Sequence, residues 1–205
     1  MNMPKIFNMV PGIVLTILLV VSCGGSSSNA GQAVLDAISA RTSIRAYQDR
    51  PVGADTVELL LRAAMSAPSA RNRQPWAFIV VDDKDMLRQL ADSLPYAQSA
   101  AAAPMAVVVC GVLTESQGAT NAGWWVQDAA AASENLLLAA HAVGLGAVWT
   151  GVYSYEDRVR AVRNVLGLPR HVVPLNVIPI GYPAENPAPK QKWDPAKVRR
   201  NGWAE

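Results

Sequence analysis

The sequence predicts an α+β domain: a central mixed sheet flanked by helices. Three observations carry this. Short apolar runs at 77–81, 105–112, 147–152 and 172–180 alternate with segments of helical spacing. The stretch from about Ala122 to Val143 is apolar almost all round, which marks a buried central helix. With 205 residues, 51% of them hydrophobic, the chain is long and apolar enough for one domain with a real core.

Taken in order, residues 1–22 read as a signal segment. Lys5 is the single charge before an apolar stretch from Val10 to Val21, too short to span a bilayer as a helix. It ends in Val20-Val21-Ser22-Cys23-Gly24, which resembles the bacterial lipobox. That resemblance implies that Cys23 is lipidated and anchors the chain in the cell envelope, Gly24 favouring the outer membrane. Residues 23–31 then form a Ser/Gly-rich flexible tether. The alternative is a misassigned start codon ahead of a cytoplasmic enzyme.

The folded domain spans residues 32–205. Ala33 to Ala40 has helical spacing, with Val34, Leu35 and Ile38 on one side. Asp55 and Glu58 have capping-box spacing and open a helix through Met65. Ala77 to Val81 is a strand, and Asp82-Asp83 caps the next helix. Pro104 precedes the strand Met105 to Val112, where Cys110 is a small buried hydrophobe. Gly144-Leu145-Gly146 stops the central helix, and Ala147 to Val152 is a third strand. Ser154 with Asp157 caps a helix through Leu166. Val172 to Ile180 is a fourth strand, with Pro174 and Pro179 interrupting its hydrogen bonding. From Pro183 onward the chain is proline-rich, charged and extended.

Composition excludes several function classes. Charged residues make up 17% and the net charge is only +2, with scattered basic residues, so no field for nucleic acid exists. Two cysteines make no disulfide framework. The sequence has no GxGxxG opening a helix after a strand, no GxxxxGK[ST], no GxSxG and no metal-spaced His/Cys cluster. His141 lies among alanines and leucines and reads as a core histidine.

Two stretches carry chemistry. Arg41-Thr42-Ser43-Ile44-Arg45 puts two guanidiniums and two hydroxyls on one short segment, the donor set that grips phosphate oxygens. Pro68-Ser69-Ala70-Arg71-Asn72-Arg73-Gln74-Pro75-Trp76 is a polar, proline-bounded loop before a strand, suited to walling a flat, polar-edged ligand. Each has a plainer reading, with the arginines as solvated helix-end charges and Trp76 as core.

Together the two stretches resemble the FMN-dependent nitroreductase family, through its RxSxR and PSxxNxQPW segments. Ile180-Gly181-Tyr182-Pro183 and Gly144 to Val152 add further matches in order. The resemblance implies a nitroreductase-like homodimer with two FMN sites at its interface. It implies that Arg41, Thr42 and Ser43 hold the phosphate together with Lys190 and Lys192, and that Arg45 lies at the N1/O2 edge of the ring. Pro68, Ser69 and Asn72 form a wall from the other subunit, and Gln98 reaches the ring. The resemblance also implies that Trp149 packs beside the ring, the alternative being a core aromatic, that Thr150 belongs to the cofactor-binding stretch, and that the backbone of Gly151 and Val152 faces N5. Trp124 and Trp125 line the interface or the channel, or are core. The implied activity is ping-pong electron transfer from NADH or NADPH, through FMN, to a small-molecule acceptor such as a nitroaromatic or quinone. Here the flavin carries the chemistry and no side-chain nucleophile is needed. Rival expectations are a flavin/oxygen or reductive dehalogenation enzyme of the same fold, or a flavin-binding envelope lipoprotein with little turnover.

Overall fold

The computed structural model describes Met1 and residues 27–113 and 123–203. The proposed signal segment, the lipidation site and much of the tether lie outside these residues. Among these residues, six α-helices and five strands follow in the order α1 (Ser27–Ala40), α2 (Ala54–Met65), β1 (Trp76–Val81), α3 (Lys84–Ser93), α4 (Ser99–Ala102), β2 (Met105–Val112), α5 (Trp124–Ala142), β3 (Gly146–Ala147), β4 (Thr150–Gly151), α6 (Glu156–Leu166) and β5 (Val172–Gly181). Among the described residues no helix is long and apolar enough to cross a membrane. Helix α1 starts inside the run expected to be a tether.

The sheet runs β1-β2-β5-β3, with β4 also on β5. Every strand ladder is antiparallel, which corrects the expected mixed sheet. Among the described residues the single parallel contact is an isolated bridge from Ser43 to Ala147. The third strand is also corrected, because Ala147 to Val152 divides into β3 and β4, two pieces of two residues each.

Alternation along β2 explains the layers. Met105, Val107 and Val109 face a core built with α2 and α5, while Ala106, Val108 and Cys110 face a second core with α3 and α6. Both faces of β2 are covered, so it reads as one continuous apolar run. Strand β5 lies at the sheet centre despite Pro174 and Pro179. Its register shifts between Val109↔Asn176 and Cys110↔Pro174, leaving Leu175 as the extra residue of a bulge. The carbonyl of Leu175 is taken instead by the N–H groups of Val152 and Tyr153, each at 3.0 Å.

Two caps differ from expectation. Helix α2 starts after Gly53 with no side-chain cap; Asp55 lies inside its first turn, and Glu58 pairs with Arg62 at 2.6 Å. Helix α6 starts after Tyr155, again without a side-chain cap, so Ser154 does not serve. Asp83 caps α3 as expected, accepting from the N–H groups of Asp85 and Met86. Cys110 is buried, and burial pushes its thiol up to about 12.

Candidate functional site: a cleft at the end of the central helix

The Arg41–Arg45 segment is laid against β3 by a backbone hydrogen bond from Ile44 to Ala147, 3.1 Å, beside the Ser43–Ala147 bridge. Ile44 is buried directly over Gly146. A Cβ at Gly146 would sit 2.6 Å from the Ile44 side chain, so only glycine admits this approach. The segment's other edge is strapped by the chain leaving β5. Gln48 N–H donates to Tyr182 O at 2.9 Å and Ala184 N–H to Ala46 O at 2.9 Å. Glu185 then accepts from the backbone N–H groups of both Arg45 and Ala46. These two donors, with the Arg45 charge nearby, hold its carboxyl below the usual carboxylate range. The Tyr47 hydroxyl lies 2.6 Å from Ile44 O and 3.1 Å from Pro179 O, and burial pushes its pKa up.

Between the segment, the last turns of α5 and the strap lies a cleft of about 200 Å³. Its polar lining is Arg41, Thr42, His141 and Asn186, with Ile44, Leu137, Pro187 and Pro189 among its apolar walls. Arg41 is held 3.4 Å from Glu134, one face of α5 carrying both Glu134 and His141. His141 is therefore half-buried in the cleft wall, which corrects its reading as a core histidine. Lys190 and Lys192 follow Pro189 and are exposed.

Next to Ser43 and Ala147 runs the β4 piece. Val152 N–H bonds Leu175 O, and Thr150 pairs with Val177. Antiparallel alternation then places Gly151, opposite Asn176, in the wide pair, with its N–H turned away from β5. Val152 is fully buried and its N–H is taken by Leu175 O, so its expected role toward a ligand is corrected; the Gly151 N–H is not taken up by β5. A Cβ built on Gly151 would meet only Trp149 Nε1, at 4.0 Å, so the surface there is open to a flat group. Trp149 is 37% exposed beside it, and Thr150 is buried.

The Pro68–Trp76 loop lies elsewhere. Ala70 N–H donates to the buried Asp128 carboxylate at 2.8 Å, near the start of α5. Ser69 Oγ accepts from Gln74 N–H at 2.9 Å, and Asn72 Oδ1 accepts from the Gln74 amide at 2.9 Å. Arg71, Asn72 and Gln74 all have positive φ, near 50°, an uncommon concentration for non-glycine residues. Thirteen residues of helix separate Asp128 from His141, about 20 Å at the α-helical rise. Pro68, Ser69 and Asn72 are thus not brought to the Arg41 cleft within one chain. Gln98 is also set apart, exposed at the start of α4 beside the second core. Trp76 packs against the first core and lies 6.5 Å from Phe78; Trp125 is buried over Gly111, while Trp124 is exposed.

Sequence reasoning missed Asp128, Glu185 and the cleft position of His141. A lone acid in the alanine-rich Ala129 to Ala132 neighbourhood was the available signal for Asp128. Glu185 carried none, because its partners are backbone groups about 140 positions away.

The chain is thus an antiparallel α+β domain with an arginine-lined cleft near the glycine-bearing strand β4. The family model described as "Nitroreductase family" matches residues 38–125 and 93–182. A protein of Methanothermobacter thermautotrophicus, provisionally named an NADH dehydrogenase/NAD(P)H nitroreductase, is 48% identical over 170 residues, covering 83% of this chain and 87% of its own. A crystal structure from Parabacteroides distasonis, with the same provisional name, superposes with a TM-score of 0.78 at 46% identity, covering 83% and 98% of the two chains. The structure of an FMN-dependent nitroreductase from Clostridium difficile R20291 gives a TM-score of 0.75 at 29% identity, covering 82% and 99%. The chain belongs to the nitroreductase family.

Proposed function

We propose that the protein is an FMN-dependent oxidoreductase that takes electrons from NADH or NADPH and passes them to nitroaromatic, quinone or related small acceptors. The observation that carries this is the juxtaposition across Ser43–Ala147: a phosphate-type donor set, Arg41, Thr42 and Ser43, beside an open glycine edge at Gly151. FMN has the same two ends. Bound there, it supplies two-electron chemistry in two half-reactions with one substrate site used in turn. Arg41, Thr42 and Ser43, together with Lys190 and Lys192, would hold the phosphate. Arg45 gives a fixed positive charge at the ring's pyrimidine edge. The Gly151 N–H offers a donor without blocking the face, and Trp149 flanks it. The names of the relatives support this assignment of cofactor and co-substrate.

The protein functions as a homodimer in this reading. Val34, Leu35 and Ile38 on α1 are 61%, 60% and 54% exposed, and Trp193 and Trp203 are 78% and 81% exposed. Such a display of large apolar groups fits an interface. A second copy also supplies Pro68, Ser69 and Asn72 to the cleft that they do not reach in their own chain.

The test is the visible spectrum of the purified protein with FMN. Flavin bands bleached anaerobically by NADH or NADPH are expected. A colourless protein indifferent to added FMN overturns the reading. The leader pattern ending at Cys23 supports an envelope-anchored form, tested by metabolic labelling with a radioactive fatty acid. Absence of label from the wild type and from Cys23→Ser alike removes the anchor and favours the cytoplasmic alternative.

A further inference from the structure

We propose that Glu185 is a positioning residue that locks the strap following β5 onto the Arg41–Arg45 segment, setting the width of the phosphate end of the cleft. This rests on the reading of that cleft as part of a flavin site.

One carboxylate oxygen accepts two consecutive backbone N–H groups, those of Arg45 and Ala46. These are the groups that an incoming anion would otherwise compete for. The residues on either side of Glu185 are tied separately. Before it, Ala184 N–H reaches Ala46 O and the Gln48 amide donates to Pro183 O at 2.9 Å. After it, Asn186, Pro187 and Pro189 form one wall of the cleft whose opposite wall is Arg41, Thr42 and Ile44. Glu185 is therefore the last fixed point before the wall, and Lys190 and Lys192 hang from it. The proline-rich wall has few backbone donors of its own, so no other ladder bond in this stretch holds it at that distance. Glu185 itself is exposed and is not among the residues lining the cleft, so it acts through the backbone that it holds.

The experiment compares binding of FMN and of riboflavin, which lacks the phosphate, by flavin fluorescence. Wild type, Glu185→Ala, Glu185→Gln and Arg41→Ala are used as full-length protein. Removing an acceptor of two N–H groups is expected to weaken FMN binding about tenfold in Glu185→Ala, with riboflavin changed less than about twofold. Glu185→Gln, whose amide oxygen accepts the same pair, is expected to recover FMN affinity to within about threefold of wild type. Equal weakening of FMN and riboflavin in Glu185→Ala, or no change in either, overturns the positioning role. If Arg41→Ala loses the preference for FMN while Glu185→Ala keeps it, only this inference fails. A wild-type protein that binds neither flavin overturns the site itself.

Discussion

The two ends of α5 hold two pieces of the site by opposite means. At the C-terminal end, Arg41 is secured by a side-chain pair with Glu134 and by a strap of backbone hydrogen bonds running from Tyr182 to Glu185. The residues lining that cleft all come from one chain. At the N-terminal end, the Pro68–Trp76 loop bends through three left-handed residues and is held to α5 by the Asp128 carboxylate. No residue of that loop lines the Arg41 cleft of its own chain. In the proposed homodimer one helix would serve two sites: it finishes one cleft itself and would present a wall to the other copy's cleft.

The strongest way to break both ends together is to loosen the helix that they share. Leu136 is fully buried in the middle of α5, and Leu136→Ala is expected to cost about 2–5 kcal/mol in urea unfolding. Flavin affinity should fall in step with it. A smaller and one-sided effect is expected at the cleft. Arg41→Ala removes a charge-assisted donor worth about 1.5–3 kcal/mol, so FMN binding weakens roughly ten- to hundredfold by fluorescence titration. At the loop end, Asp128→Ala leaves the Ala70 N–H without its acceptor. It should lower stability by about 1–3 kcal/mol, with Asp128→Asn losing less, since an amide oxygen still accepts. Ile38→Glu on the exposed face of α1 should change protomer stability by no more than about 0.5 kcal/mol yet shift the sedimentation coefficient from dimer to monomer. The smallest effect is at Cys110. Its peptide should stay unalkylated by iodoacetamide at pH 8 and become labelled only after denaturation, because the thiol is buried and pushed up to about 12.

Periodicity made the main elements legible. The central helix, the strand Met105 to Val112 and the Asp83 cap are found where their apolar spacing and capping residues place them. The two failed caps, at Asp55 and Ser154, share a feature: each helix starts at a neighbouring residue, Gly53 or Tyr155, that makes no side-chain cap bond, and local pattern alone does not choose between adjacent starts. Sheet order was not legible, since β5 is central through tertiary packing although its two prolines argue for an edge. Arg41 and Thr42, which line the cleft, were legible as candidates because phosphate chemistry asks for such side chains in one segment. Glu185 was hidden because its work is done on main-chain groups, and Val152 was overrated because the sequence does not reveal which N–H groups a neighbouring strand consumes.

The most direct test of a site shared between chains is a mixing experiment. Arg41→Ala protein and Ser69→Ala/Asn72→Ala protein, each poor in FMN binding, are unfolded together, refolded and titrated with FMN. If the cleft and the wall come from different protomers, each mixed dimer holds one intact site and one doubly altered site. Tight binding then reappears in the mixture at up to half of the sites in mixed dimers. If each chain supplies both parts of its own site, the mixture binds no better than the two variants refolded apart, and the account is contradicted.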